Sequence, residues 1–227
     1  MSHHNILFLC SGGGGNLRFI HHVIQESLLP GWSQIAVIAD RECPAIEYAR
    51  AASVTARCID FTANEQGDLL DAVLELQPDI IITTVHKILR TPILEAFCGR
   101  LLNLHYSLLP AFGGTIGVRP VMAAQDYGVC LAGASVHLVD ETVDGGKPVA
   151  QVAVPVSRRD NLAELMDVVF RAGCISLYAA LRNIRAATNT NWKGQHISIK
   201  DRAALLNPGT ELPPEFWDDD FWKMLRG

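Results

Sequence analysis

The sequence lacks an excess of basic residues, and it lacks a long hydrophobic run. It contains 19 Lys and Arg against 24 Asp and Glu, a formal net charge of −5, which argues against a broad nucleic-acid-binding surface. No apolar run reaches the ~20 residues that a transmembrane helix needs. The first residues also lack the basic and apolar regions of a signal peptide. We therefore expect a cytoplasmic protein that binds neither nucleic acid nor membrane.

Cysteine is scarce and has no metal-binding spacing. The six residues stand at positions 10, 43, 58, 98, 130 and 174, and none form a Cys-x-x-Cys pair. Most lie in apolar segments, so we expect buried free thiols and no metal site. A chain of 227 residues with 49% hydrophobic residues is sufficient for a sizeable core, which predicts a single domain over residues 1–227.

Short apolar runs alternate with amphipathic segments along the first half of the chain. Strands are predicted over 5–10, 34–40, 55–60 and 79–83, and helices over 17–28, 44–52, 65–76 and, later, 161–185. Continuous β-branched runs such as Ile80–Ile82 are typical of parallel strands that are buried on both faces. The predicted fold class is therefore α/β: a Rossmann-like, three-layer, open and mostly parallel twisted sheet with helices on both faces.

A glycine-rich loop follows the first predicted strand and leads into a helix. Backbone N–H groups and the helix dipole at such a junction hold anions. The loop is not a Gly-x-Gly-x-x-Gly motif, so it does not imply a nucleotide cofactor. A flexible turn that needs glycine for its backbone angles is the alternative. The candidate anion-binding residues are Gly13, Gly14, Gly15 and Asn16.

The segment 101–114, which reads LLNLHYSLLPAFGG, holds the first candidate catalytic residues. Side chains alternate along a strand, so Asn103 and His105 point to the same side. A carboxamide and an imidazole in that position can polarise a carbonyl group and stabilise an oxyanion. A core Asn and His bonded to the backbone is the alternative. Asp144 lies in an Asp-Gly turn, which is also a common hairpin signal.

Three elements in order carry a resemblance to a known family: NLHYSLLPAFGG, the strand 133–137 and the turn Val143-Asp144-Gly145-Gly146. Together they resemble the signature of the 10-formyltetrahydrofolate-dependent formyltransferases, nearest to the branch that acts on glycinamide ribonucleotide. The similarity runs from about residue 5 to 185. It implies a formyltransferase-like fold and transfer of a formyl group from 10-formyltetrahydrofolate to a small-molecule amine, without a metal. In the family, Asn103, His105 and Asp144 correspond to catalytic residues.

The same resemblance assigns further roles. It implies that the glycine-rich loop binds a phosphate of the acceptor. Ser135 and His137 alternate with apolar residues on a predicted strand and share one face, so we expect them to support the catalytic residues; a core histidine with satisfied hydrogen bonds is the alternative for His137. Folate would bind in a pocket lined by residues of two loops, namely Lys87, Ile88, Leu89, Val139, Asp140 and Val143.

The chain departs from the family pattern on its long helix. The glycinamide ribonucleotide enzymes carry a Glu there that contacts the substrate amine region, whereas residues 168–171 contain no acid. We therefore expect poor turnover of glycinamide ribonucleotide. The alternatives are an N-formyltransferase acting on another amine, such as an amino-sugar nucleotide, and a non-catalytic folate- or anion-binding protein on the same fold.

The end of the chain, about residues 186–227, is predicted to form a hairpin followed by an acidic, aromatic tail. The tail would pack on the body of the protein or on a partner subunit, so the protein is expected to be a monomer or a homodimer. The aromatic residues of the tail are Phe216, Trp217, Phe221 and Trp222.

Overall fold

The computed structural model describes residues 4–185 and 193–225. The chain forms two compact units. The first unit comprises Met1–Asn103 and Leu138–Val143, and the second comprises Leu104–His137 and Asp144–Gly227. Within the described residues, no helix is long and apolar enough to cross a membrane.

The first unit is built on parallel strands in the order β3-β2-β1-β4-β5. These strands are β1 (His4–Cys10), β2 (Trp32–Ala39), β3 (Thr55–Cys58), β4 (Ile80–Thr84) and β5 (Leu101–His105). The last two residues of β5 belong to the second unit. The predicted strands are confirmed, with ends that differ by one or two residues.

Helices cover both faces of this parallel sheet. They are α1 (Gly15–Gln25), α2 (Pro44–Ala51), α3 (Gly67–Leu76), which follows a 3-10 turn at Ala63–Gln66, and α4 (Thr91–Ala96). Leu7 and Leu9 of β1 pack with α3 and α4 in one hydrophobic cluster. Ile6 and Phe8, which alternate with them, are equally buried. Since alternate residues face opposite sides of a strand, both faces are covered, and the α/β prediction is confirmed. The short helix α4 was not predicted.

The second unit contains antiparallel strands in the order β6-β7-β9-β8. Its elements are α5 (Arg119–Tyr127), β6 (Leu131–Leu138, whose last residue belongs to the first unit), β7 (Pro148–Pro155), α6 (Leu162–Arg185), β8 (Gln195–Ile199), β9 (Arg202–Asn207) and α7 (Asp219–Met224). β7 is an interior strand of this unit, because the β8–β9 hairpin pairs with the edge of β7 that β6 leaves open.

The acidic, aromatic tail packs on the second unit itself. Phe216, Phe221 and Trp222 are buried, and the ring of Phe216 meets Tyr178 of α6 edge-on at 5.1 Å. Trp217 is 48% exposed. The tail is therefore part of the hydrophobic core of this unit. Residues 186–192, which begin the predicted C-terminal segment, lie outside the described residues.

All six cysteines are free, but only half of them are buried. Cys10, Cys43 and Cys174 are buried, while the other three, Cys58, Cys98 and Cys130, are exposed. The expectation of buried thiols was therefore wrong for Cys58, Cys98 and Cys130. Each exposed cysteine stands at or beyond the end of an element, where the chain turns toward the surface.

Candidate active site

Two histidines and a carboxylate meet in the second unit. His105, the last residue of β5, is 4% exposed, and its Nε2 lies 3.2 Å from Asp144 Oδ2. His137 on β6 is also buried, and its Nε2 lies 3.6 Å from Asp144 Oδ1. The predicted approach of Asp144 to His105 is thus present, and His137 flanks the same carboxylate.

Asp144 is held by the backbone as well as by the histidines. Its φ of 53° is in the left-handed region, which Asp tolerates better than most residues. The N–H of Gly114 donates to its Oδ2 at 2.8 Å. The Asp-Gly turn is therefore a structural feature and also aims the carboxylate at the histidines, so the two roles predicted for Asp144 are compatible.

Burial decides the charge states of the cluster. Burial lowers the pKa of His105 below its usual 6.5, with His137 acting in the same direction and Asp144 opposing. Burial alone would raise the pKa of Asp144, but hydrogen bonds from His137 and Gly114 and the charge of the imidazoles hold it below its usual value. At neutral pH the pair is a carboxylate beside a neutral imidazole. Desolvation of the His105 ring outweighs the attraction of Asp144.

The Nε2 atom of His105 is well placed to meet a substrate. It is buried and has no hydrogen-bonding partner among the described residues. The 3.2 Å separation from Asp144 is within ion-pair range, but the angle does not make a hydrogen bond. A buried polar atom without a partner is costly and common at functional sites.

Ser135 fixes the segment that follows His105. Its hydroxyl donates to the carbonyl of Ser107 at 2.7 Å and accepts the N–H of Leu109 at 3.0 Å. The side-chain amide of Gln151 donates to the same oxygen at 2.7 Å. With one donor and two acceptors used, the buried hydroxyl is fully satisfied and holds the chain that runs on to Gly114.

Asn103 lies two residues before His105 on β5 and is partly buried. Its backbone pairs with Thr83 of β4 in the first unit. The alternation of strand side chains gives Asn103 the same side of β5 as His105.

The glycine-rich loop opens α1 as predicted. Gly14, the N-cap residue, has φ of 71°, and a Cβ atom there would come within 2.9 Å of Ala45. The N-cap residue is a glycine, so it has no side chain that could cap the helix, and the first turn contains no acid. Ser11, at the start of the loop, accepts the N–H of His86 at 3.0 Å. Backbone N–H groups and the positive end of a helix dipole favour an anion at such a helix start.

The two loops assigned to folate both lie in the first unit. Leu89 is buried and Val139 packs against the same hydrophobic cluster. The side chains of Ile88 and Val143 are 73% and 58% exposed, an unusual degree for branched apolar residues. Lys87 and Asp140, the other two assigned residues, are exposed. The two loops thus combine apolar side chains that pack into the hydrophobic cluster with apolar side chains that are exposed.

The comparison with known families shows the family to which the chain belongs. Residues 4–181 match the family model described as formyl transferase. The chain belongs to the formyl transferase family. The model covers most of the chain and includes His105, Asp144 and both assigned loops.

Several relatives of this formyltransferase are named for action on glycinamide ribonucleotide. A phosphoribosylglycinamide formyltransferase of Mycobacterium tuberculosis (strain CDC 1551 / Oshkosh) is 38% identical over 176 residues, which are 73% of this chain and 80% of the relative. The solved structure of glycinamide ribonucleotide transformylase 1 from Symbiobacterium toebii aligns with a TM-score of 0.73 and 30% identity, covering 88% and 92% of the two chains. The phosphoribosylglycinamide formyltransferase from Brucella melitensis aligns at 0.69 and 30%, covering 83% and 98%.

Membership of the family implies a folate-derived formyl donor. Within the part of the chain that the structure describes, no group of three or more His, Cys, Asp or Glu side chains is arranged to hold a metal ion. The neutral imidazole, the carboxylate and the unpaired Nε2 of His105 are the chemical groups that the formyltransferase presents.

Sequence reasoning missed three contributors to these sites. Gly114 acts through its backbone N–H, and the type of residue at a position does not predict a backbone hydrogen bond. Gln151, which is half-buried, and Gln66, which is buried, act through carboxamides that bind residues far away in the sequence. Gln66 precedes a helix, where a polar residue is normally read as a cap, so the sequence held no signal for its actual contacts.

Proposed function

We propose that this formyltransferase transfers the formyl group of 10-formyltetrahydrofolate to the amine of a small, phosphate-bearing acceptor, and that the first acceptor to test is glycinamide ribonucleotide. The observation that carries the proposal is the approach of the buried His105 Nε2 to Asp144 Oδ2, 3.2 Å apart, in a family member with a matching signature. The acceptor comes from the names of the relatives, which place such an enzyme in purine biosynthesis.

In the proposed reaction the acceptor amine attacks the formyl carbon as a neutral nucleophile. A C–N bond forms, and the carbonyl oxygen becomes an oxyanion that Asn103 stabilises as a hydrogen-bond donor. Because His105 is neutral, it takes the proton that the amine loses, and Asp144 stabilises the resulting imidazolium. His105 then returns the proton to N10 of the folate as the C–N10 bond breaks. Atoms and charge balance without a metal or a covalent enzyme intermediate.

The remaining assignments support this reaction. We propose that Gly13, Gly14, Gly15 and Asn16 bind the acceptor phosphate at the start of α1. Folate would lie against the two loops with exposed apolar residues, namely Lys87, Ile88, Leu89, Val139, Asp140 and Val143. Ser135 and His137 would keep the catalytic groups in place. We further propose that residues 1–227 act as one catalytic domain, because the family match includes parts of both units.

One observation favours a different acceptor amine. Phe170 and Arg171 stand where the family resemblance predicts a carboxylate, and both contact the C-terminal tail. The ring of Phe170 meets Trp222 edge-on at 6.4 Å, and the guanidinium of Arg171 binds Asp219. This part of α6 thus holds the tail in place, and an amino-sugar nucleotide is the second acceptor that we would test.

The test is a steady-state assay of tetrahydrofolate release from 10-formyltetrahydrofolate with each acceptor. We expect saturable release with at least one phosphate-bearing amine, and loss of release in His105→Asn. Efficient turnover of glycinamide ribonucleotide, at kcat/KM of ~10⁴ M⁻¹s⁻¹ or above, supports the purine assignment. Tight folate binding without turnover of any amine supports the non-catalytic alternative and refutes catalysis.

A further inference from the structure

Gln66 is a buried polar residue whose contacts all lead to one loop. It is 2% exposed, its Nε2 donates to the carbonyl of Ile88 at 2.9 Å, and its Oε1 accepts the N–H of Arg90 at 2.8 Å. The opposite orientation of the amide would place N–H against N–H. A carboxamide therefore fits this position in one orientation. Like a residue of a paired strand, it donates one hydrogen bond to the loop backbone and accepts one from it.

The backbone that carries Gln66 is strained. Asn64, Glu65 and Gln66 have φ of 45°, 49° and 71°, three successive non-glycine residues in the left-handed region. Cβ sterics disfavour this conformation, and such strain persists where the surrounding structure imposes it. Gln66 is also the N-cap residue of α3, yet it makes no side-chain cap bond to that helix among the described residues. Its polar atoms serve the loop instead.

The loop that Gln66 holds is residues 86–90, directly after the carboxyl end of β4. Its backbone is fixed at three points, because Ser11 accepts the N–H of His86 while Gln66 binds residues 88 and 90. Between these points the side chain of Ile88 remains 73% exposed. Ligands of open α/β sheets bind beyond the carboxyl ends of strands. A backbone held in place around an exposed apolar side chain is suited to bind one.

We propose that Gln66 is a positioning residue that holds the 86–90 loop in the conformation that binds the folate donor. This inference rests on the proposed function, since that function assigns Lys87, Ile88 and Leu89 to folate. A loop ordered before binding loses little conformational entropy when the ligand arrives. Gln66 therefore acts on donor affinity, and it takes no part in the chemical step or in acceptor binding.

The test compares Gln66→Met with Gln77→Met in the full chain. Both positions flank α3 with positive φ, 71° and 48°, but Gln77 is exposed and lies at the other end of the helix. Methionine keeps the length of the side chain and removes both hydrogen bonds. We expect Gln66→Met to raise the Kd of tetrahydrofolate, by calorimetry, and the KM of the donor by about tenfold or more. The acceptor KM and kcat should change little, and Gln77→Met should behave as wild type.

A second variant separates positioning from general damage. Gln66→Glu keeps the acceptor for the N–H of Arg90 but loses the donor to Ile88. Amide hydrogen exchange by NMR should show Arg90 protected in Gln66→Glu and unprotected in Gln66→Met, with donor affinity reduced in both. Unchanged donor affinity in folded variants overturns the inference and leaves the proposed function intact. A wild-type protein that fails to bind tetrahydrofolate refutes the proposed function and, with it, the inference. Equal losses in donor and acceptor KM also overturn it.

Discussion

Asp144→Asn is the most informative single change in the candidate active site. Asparagine keeps the shape of the side chain, tolerates the left-handed φ of 53°, and can still accept the N–H of Gly114. It removes the charge that the proposed mechanism needs when His105 becomes an imidazolium. We therefore expect a folded protein with a defect confined to catalysis.

The size of the effect follows from the distance between the two groups. Opposite unit charges 3.2 Å apart attract by about 5 kcal/mol at an effective dielectric constant of ~20. The dipole of the asparagine amide retains part of this, so about 3–4 kcal/mol of transition-state stabilisation should be lost. That is a decrease of about 10²–10³ in kcat/KM, within the range measured for general acid–base groups.

A pH profile distinguishes this role from structural damage. Asp144 is the neighbour that raises the pKa of His105, so its removal should shift the acidic limb of the kcat/KM profile to lower pH. Glu141→Gln is the matched control, since it removes one exposed negative charge from the same turn. Activity of Asp144→Asn within ~10-fold of wild type, or an acidic limb that does not move, would refute the assignment.

Three further changes test other parts of the structure. Burial depresses the pKa of His105, so the unfolded chain binds more protons than the folded chain below pH 6.5. The free energy of unfolding, measured in urea, should therefore fall from pH 7.5 to pH 5.5. The slope of this decrease should be smaller in His105→Asn. Gly133→Ala should lower the free energy of unfolding by ~2 kcal/mol or more, because a Cβ atom there would overlap a backbone carbonyl of β7. Gly13 has open space around it, so Gly13→Ala should lower the free energy of unfolding by less than ~0.5 kcal/mol. Thermal unfolding of both variants measures the difference. Arg171→Leu should cost ~3 kcal/mol, because it removes the guanidinium that pairs with the buried Asp167 carboxylate. It also breaks the ion pair with Asp219, so the tail should become accessible to limited proteolysis; an unchanged cleavage pattern would contradict this.

Local patterns were sufficient to predict the parallel sheet. The run Ile80–Ile82 and the glycine-rich loop after β1 are short-range signals, and β4 and α1 lie where they indicate. The antiparallel half was less predictable, because the pairing of β9 with β7 joins residues more than fifty positions apart. Alternation along β7 looks the same whether its second edge is free or paired.

The candidate active site was also predictable only in part. The motif around His105 and the Asp-Gly-Gly turn predicted which residues meet, because the family resemblance holds the long-range information. The resemblance did not predict the neutral charge state of His105. That depends on how completely the surrounding chain removes water from the ring, and burial is a property of the packed structure.

The contacts of Arg171 change the argument about the acceptor. An isolated guanidinium at Arg171 would repel a protonated amine. In the structure it is buried, its charge is shared between Asp167 and Asp219, and it stacks over Trp222 with its Cζ 5.4 Å from the ring centre. An ion pair acts at a distance as a dipole, so its field falls off faster than that of an isolated charge. Repulsion by Arg171 therefore gives little reason to expect discrimination against glycinamide ribonucleotide. The remaining reason is the absence of an acceptor at Phe170, which affects the positioning of the amine more than its charge state.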